Sequence, residues 1–174
     1  TDVLTLAPED NLLQVCLHTA KHSFVRAPGF RLHTDVDRIV RTLNIDWNLF
    51  INEVEKLNVR TAVFFSLALA RELLDSPIPN HILNRLRPNK FKVVLISKWL
   101  QRIGIFYPYE KKWNKLGYVF FVSLLYDNFY GLVQGIFPNS DWMRDRYNVK
   151  YSIFLPFFYI HRLINLLFRR TLNK

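Results

Sequence analysis

The chain has 174 residues, half of them hydrophobic and 22% charged, which excludes disorder and fits one domain whose core needs no disulfide or metal staple. Five glycines, none in a G-x-G-x-x-G or G-x-x-x-x-G-K run, exclude the common phosphate loops, and a single cysteine, Cys16, excludes an intrachain disulfide and a multi-thiolate zinc cluster. The net charge of +10 lies wholly after Arg87: residues 1–87 carry 10 Lys and Arg against 10 Asp and Glu, residues 88–174 carry 14 against 4, and 21 of the 27 aromatics follow the same boundary.

The predicted elements are helical throughout. Pro8-Glu9-Asp10 is good chemistry for a helix start, and Leu12, Leu13, Cys16, Leu17 and Ala20 then form one apolar face. Thr34-Asp35-Val36-Asp37 opens a second helix, with Thr34 as its N-cap. Asp46 caps a third, with Trp47, Phe50, Ile51, Val54 and Leu57 as its stripe. A fourth, from about Val59 to Leu74, is apolar around most of its circumference and reads as the central helix of the first half; Pro77 and Pro79 end it. Asn80 to Leu86 is a short helix or turn, and residues 90–104 favour helix over strand. Residues 106–109 form a connector. Leu116 to Phe137 reads as one long apolar helix. Pro138-Asn139-Ser140-Asp141 restarts the chain into Trp142–Tyr147, and Tyr151 to Phe168 is a last amphipathic helix. No alternating strand pattern persists over a useful length. The fold class is all-α, a multi-helix bundle, with residues 1–87 as a neutral half and 88–174 as a basic, aromatic half packed on it in one domain.

Three constellations can carry chemistry. His18 and His22 lie four apart on the first helix, opposite its apolar stripe. That spacing suits a metal, a phosphate or carboxylate partner, or plain structural hydrogen bonding. Thr19 stands where a zincin needs Glu, so that motif is excluded. Asp35 and Asp37 resemble the paired aspartates of polymerase-β-type nucleotidyl transfer, with Ser23 twelve residues before them. His22 replaces the glycine of the turn, Arg38 interrupts the strand, and a helix N-terminus accounts for the run better. Lys111-Lys112-Trp113-Asn114-Lys115 before the long apolar segment resembles a membrane-entry flank. Asp127, which would cost about 2.5–3.5 kcal/mol in mid-bilayer, favours a buried helix instead.

Several runs carry a family resemblance. They are Leu6–Leu13, Leu17-His18-Thr19-Ala20-Lys21-His22, Arg31-Leu32, Asp37-Arg38-Ile39-Val40, Ile45-Asp46-Trp47, Ala62–Leu74 and Pro77-Ile78-Pro79. Arg144-Asp145-Arg146-Tyr147 and Leu155–Leu163 continue it. Together they resemble the uncharacterised bacterial nucleotidyltransferase family, in the part C-terminal to its catalytic core. The resemblance implies transfer of a nucleoside monophosphate from a nucleoside triphosphate (NTP) to an unknown acceptor, with Mg2+ on carboxylates of an N-terminal core that is this chain's partner. It implies that the helical region helps form the acceptor cleft. His18, His22 and Asp37 match the family's recurrent polar positions and are the first candidate substrate-binding residues. Arg144, Arg146 and Tyr147 are the second, as forked donors and a stacking ring for phosphate, with a solvated helix face as the plain alternative. No metal ligand is assigned in this chain, which alone is expected to lack catalysis. Thr1 is not Met, and no signal sequence follows it, so a fragment of a longer cytoplasmic protein is expected. The rival expectation is a non-enzymatic module whose basic aromatic half docks on an anionic membrane surface; nucleic acid ranks lower, since charge has no fold motif beside it.

Overall fold

The computed structural model describes residues 6–104, 106 and 114–168, and among these helices follow one another with no strand. Helix α1 (Pro8–Lys21) starts on Pro8, whose missing N–H costs nothing in a first turn, with Glu9 and Asp10 at the positive end of the helix dipole. Glu9 is buried, and its carboxylate accepts the Asp46 N–H at 2.7 Å. Asp46 in turn accepts from the Asn48 and Leu49 amides at 2.9 and 3.1 Å, capping α3 (Trp47–Lys56) as its sequence predicts. One carboxylate at the start of α1 thus sets where α3 begins.

Helix α4 (Arg60–Leu74) lies at the centre, against α1 and α2 (Arg31–Thr42), with α3, α5 (Asn80–Leu86) and α7 (Lys115–Leu125) also touching it. Its Thr61 to Leu67 are all buried, as the apolar circumference requires. Leu12, Cys16, Val36, Phe50, Val54, Val63, Leu67, Ile82 and Leu86 form the common core, each side chain worth about 1.5–3 kcal/mol on full burial. Ser66 is tolerated inside because its hydroxyl donates to the Cys16 and Ala62 carbonyls at 2.8 and 3.1 Å. Asp75, at φ +51°, ends α4 in a left-handed cap. Helix α6 (Lys90–Ile103) ends on Gly104 at φ +72°, a conformation that favours glycine.

The N-terminus of α4 is closed from far along the chain. Asp127, just past α7, accepts the Arg60 and Thr61 amides at 2.5 and 2.8 Å and the Thr61 hydroxyl at 2.6 Å. The single helix expected over Leu116–Phe137 is therefore two: α7 stops at Leu125, and α8 (Phe129–Ile136) starts on Asn128, whose side chain accepts the Gly131 amide. Asp127 and Asn128 prefer capping bonds to helix interior, and that preference outweighs the apolar run around them.

The chain forms two compact units, Thr1–Asp127 and Asn128–Lys174, so the compositional step at Arg87 falls inside the first, between α5 and α6. The second unit holds α8, α9 (Ser140–Tyr147), a 3-10 turn (Ser152–Phe154) and α10 (Leu155–Phe168). Asn139 caps α9, and Met143 and Val149 are buried. The last helix begins at Leu155 rather than Tyr151, since Pro156 has no N–H to donate and belongs in a first turn. Of the 106–109 connector only Phe106 is described. Lys111, Lys112, Trp113, Arg169 and Arg170 lie outside the described residues. Among those described, no helix is long and apolar enough to cross a membrane.

Candidate functional site

Helix α1 delivers His18 and His22 one turn apart on its outer side, as the wheel requires, with ring centroids 4.7 Å apart and tilted by 51°. His18 is exposed and His22 half-buried. After His22 the chain turns sharply: Ser23 and Phe24 take φ +54° and +63°, costing about 1–2 kcal/mol each for side chains with a Cβ. The core holds them there. Phe24 is fully buried, its ring centroid 6.1 and 6.2 Å from those of Phe65 and Phe121, and its carbonyl accepts the Nε2–H of buried His33 at 2.9 Å. The carbonyl fixes the tautomer of His33, and burial lowers its pKa, so it is a neutral structural donor. Arg26, returning after this turn, donates its amide to the His22 carbonyl at 3.0 Å and sets its guanidinium 5.8 Å from the Tyr118 ring centroid.

The result is an edge on which Lys21 and Arg26 supply positive charge around His22, with His18 beside it. Partial burial lowers the pKa of His22; His18, Arg26 and Lys21 lower it further, against an opposing hydrogen bond with the Ala27 backbone. An anion placed here would reverse the electrostatic part of that shift.

Asp37 does not join this edge. Its Oδ1 accepts from Arg41 Nε at 2.8 Å and from the Ser76 hydroxyl at 2.6 Å, while Arg41 Nη2 donates to the Leu74 and Asp75 carbonyls at 3.0 and 2.9 Å. These bonds satisfy the open carbonyls at the end of α4 and fasten α2 to it. The expected start of α2 is also corrected. It begins at Arg31, so Thr34 is not an N-cap but sits within the helix, its hydroxyl on the Arg31 carbonyl at 2.7 Å. Asp35 and Asp37, two apart on a helix, point about 200° from each other.

Asp35 instead lines a shallow depression of about 360 Å³ between α1 and α2, with Arg38, Asn11, Val15, Ile39 and Thr42. In the second unit, Arg144 donates to the Ser152 hydroxyl at 2.6 Å and approaches Asp141 at 3.9 Å. Tyr147 packs its ring on Phe158 and edge-on to His161, and Arg146 is exposed.

A magnesium ion takes six oxygen ligands in near-octahedral geometry, and the paired histidines offer nitrogen while the two aspartates diverge, so these residues do not fit it. No group of three or more His, Cys, Asp or Glu among the described residues is placed to hold a metal. Sequence reasoning missed Arg26, Arg41 and Ser76. Arg26 had a legible signal, four residues after His22, but the turn that returns it to the histidine did not.

Residues 1–75 match the model of a family described as uncharacterised nucleotidyltransferase, so the first four helices are nucleotidyltransferase-like in sequence. The runs Arg144–Tyr147 and Leu155–Leu163 lie outside the matched span. No curated protein and no solved structure matches the chain.

Proposed function

We propose that this chain is the helical part of a nucleotidyltransferase that moves a nucleoside monophosphate from an NTP to an acceptor, and that it helps wall the acceptor cleft. The family match over α1 to α4 carries the reading. The catalytic carboxylates and their Mg2+ would belong to an N-terminal core of the same protein, because Asp35 and Asp37 diverge on one helix and Asp37 is committed to Arg41 and Ser76. The edge of Lys21, His22 and Arg26, with His18, is the part that would meet phosphate on the substrate or acceptor: Arg26 as a forked donor, Lys21 as a point charge, and His22 gaining a proton as the anion arrives. Asp37 would position α2 beneath that edge without touching ligand. Arg144 and Tyr147 serve packing within the second unit.

The test is binding of ATP and of pyrophosphate to the chain, read from the Cε1–H resonances of His18 and His22. Both resonances should shift, the affinity should rise as pH falls toward the His22 pKa, and Arg26→Ala should weaken binding about tenfold. Unshifted histidines at millimolar ligand would refute the assignment. Incubation with magnesium and labelled NTP should give no transfer from this chain alone; robust turnover would overturn the placement of the catalytic carboxylates.

A further inference from the structure

Helix α10 is amphipathic in the wrong direction for a helix that faces water. Two of its polar groups, Tyr159 and Arg162, turn inward, while His161 stays exposed. The Arg162 guanidinium donates to the Ile136 and Gly135 carbonyls at 3.2 and 3.0 Å and lies 4.7 Å from the Trp142 ring centroid, and the Tyr159 hydroxyl donates to the Pro138 carbonyl at 2.6 Å. Those bonds close the C-terminal end of α8 and the turn after it. They also fix which side of α10 is left over.

That side is apolar except for His161, which stands among the exposed side chains. Phe157, Ile160 and Ile164 recur at three and four residues and are 65%, 57% and 50% exposed; Ile153, one turn earlier, is 81% exposed, with Phe154 beside it at 55%. The three on α10 and the two in the 3-10 turn just before it are large apolar side chains that monomeric surfaces seldom expose together without a partner. Tyr130, Trp142 and Tyr151, with apolar rings and polar tips, are also exposed in the same unit.

Charge selects the occupant. Residues 128–174 carry seven Lys and Arg against two Asp, with Arg146 and Lys150 exposed. A second copy would bring like charge to like. An anionic bilayer supplies the opposite charge, an apolar layer for the stripe, and a headgroup zone in which Trp and Tyr concentrate. We infer that the stripe from Ile153 to Ile164 lies in the surface of an anionic bilayer, held by shallow insertion of Ile153, Phe157, Ile160 and Ile164 and by phosphate contacts from Arg146 and Lys150. The inference is independent of the nucleotidyltransferase reading.

The test is flotation of the full 174-residue chain with vesicles of phosphatidylcholine, with and without about a third phosphatidylserine. The chain should float with the anionic vesicles. Partitioning should fall at least tenfold on phosphatidylcholine alone and in about 1 M salt. Phe157→Ser/Ile160→Ser should lose at least tenfold on anionic vesicles, and Arg146→Glu/Lys150→Glu should lose about as much with the apolar stripe intact. All four positions are exposed, and unchanged circular dichroism verifies the fold of each variant. A wild-type chain that fails to float at low salt overturns the inference, as does flotation indifferent to the Phe157/Ile160 pair. Sedimentation as a dimer that the serine pair converts to monomer, without flotation, would give the stripe to a second copy and overturn it equally.

Discussion

Removing the Asp127 carboxylate should loosen the first unit at the N-terminus of its central helix. In Asp127→Ala the Arg60 and Thr61 amides and the Thr61 hydroxyl lose their acceptor together. Thr61 is buried, so water replaces the carboxylate poorly there. A hydrogen bond to a charged group contributes about 1.5–3 kcal/mol, a lost cap costs about 0.5–2 kcal/mol, and bonds that share one carboxylate do not add. We expect a loss of about 2–3 kcal/mol. Asp127→Asn keeps one acceptor oxygen for Thr61 but sets its NH2 against the Arg60 N–H and gives up the charge at the helix dipole, so it should lose about 1–2 kcal/mol, less than alanine. Urea unfolding followed by circular dichroism measures both, with an unchanged slope showing that compactness is preserved. Lys92 provides a second readout. It donates to the Tyr126 carbonyl, and burial lowers its pKa while Asp127 opposes that shift, so both variants should lower it further. An alanine variant within about 0.5 kcal/mol of wild type, or an asparagine variant as damaged as the alanine, would refute the capping argument.

Asp37→Ala should cost about 1–2 kcal/mol through Ser76 and Arg41 while leaving anion binding at His22 and Arg26 within about twofold; tenfold weaker binding would return Asp37 to the ligand. Cys16 is fully buried with its thiol pKa pushed up by desolvation, so Ellman's reagent should modify it about a hundredfold slower in the native chain than in urea, and equal rates would contradict the burial. His22 and His33 both have lowered pKa values in the fold, so below about pH 6.5 the unfolded chain takes up protons that the native one refuses. Stability should therefore decline from about pH 6.5 downward, by at most about 1.4 kcal/mol per pH unit for each histidine, and a urea midpoint flat between about pH 7 and pH 5 would refute it.

The helical order was legible because its signals are local. Asp46, Asn139 and Pro8 mark helix starts through chemistry within four residues, and the apolar circumference of Arg60–Leu74 announces burial on nearly all sides. Errors arose where a distant partner decides. Asp127 counted in the sequence only as an argument against a membrane span, yet it caps α4, and Asn128 beside it starts α8. Thr34 has cap chemistry, but the turn held by buried His33 and Phe24 lets α2 begin a turn earlier. The outward placement of His18 and His22 follows from the helix wheel alone. That Asp37 belongs with Ser76 and not with the histidines depends on how α2 crosses α4, which periodicity along either helix does not encode.

The Arg60–Asp127 bond spans 67 residues, and this has a consequence for the order of synthesis. A ribosome that has released the chain only as far as Leu74 has made every residue of the central helix and none of its N-terminal lock. The nascent segment must wait, with the amides of Arg60 and Thr61 open to water, until α7 and Asp127 emerge. The span matched to the nucleotidyltransferase family is thus shorter than the span that can be cut out and expected to hold together. An expression boundary drawn at residue 75 or 87 would sever the first unit, whereas one drawn after Asp127 would leave it whole.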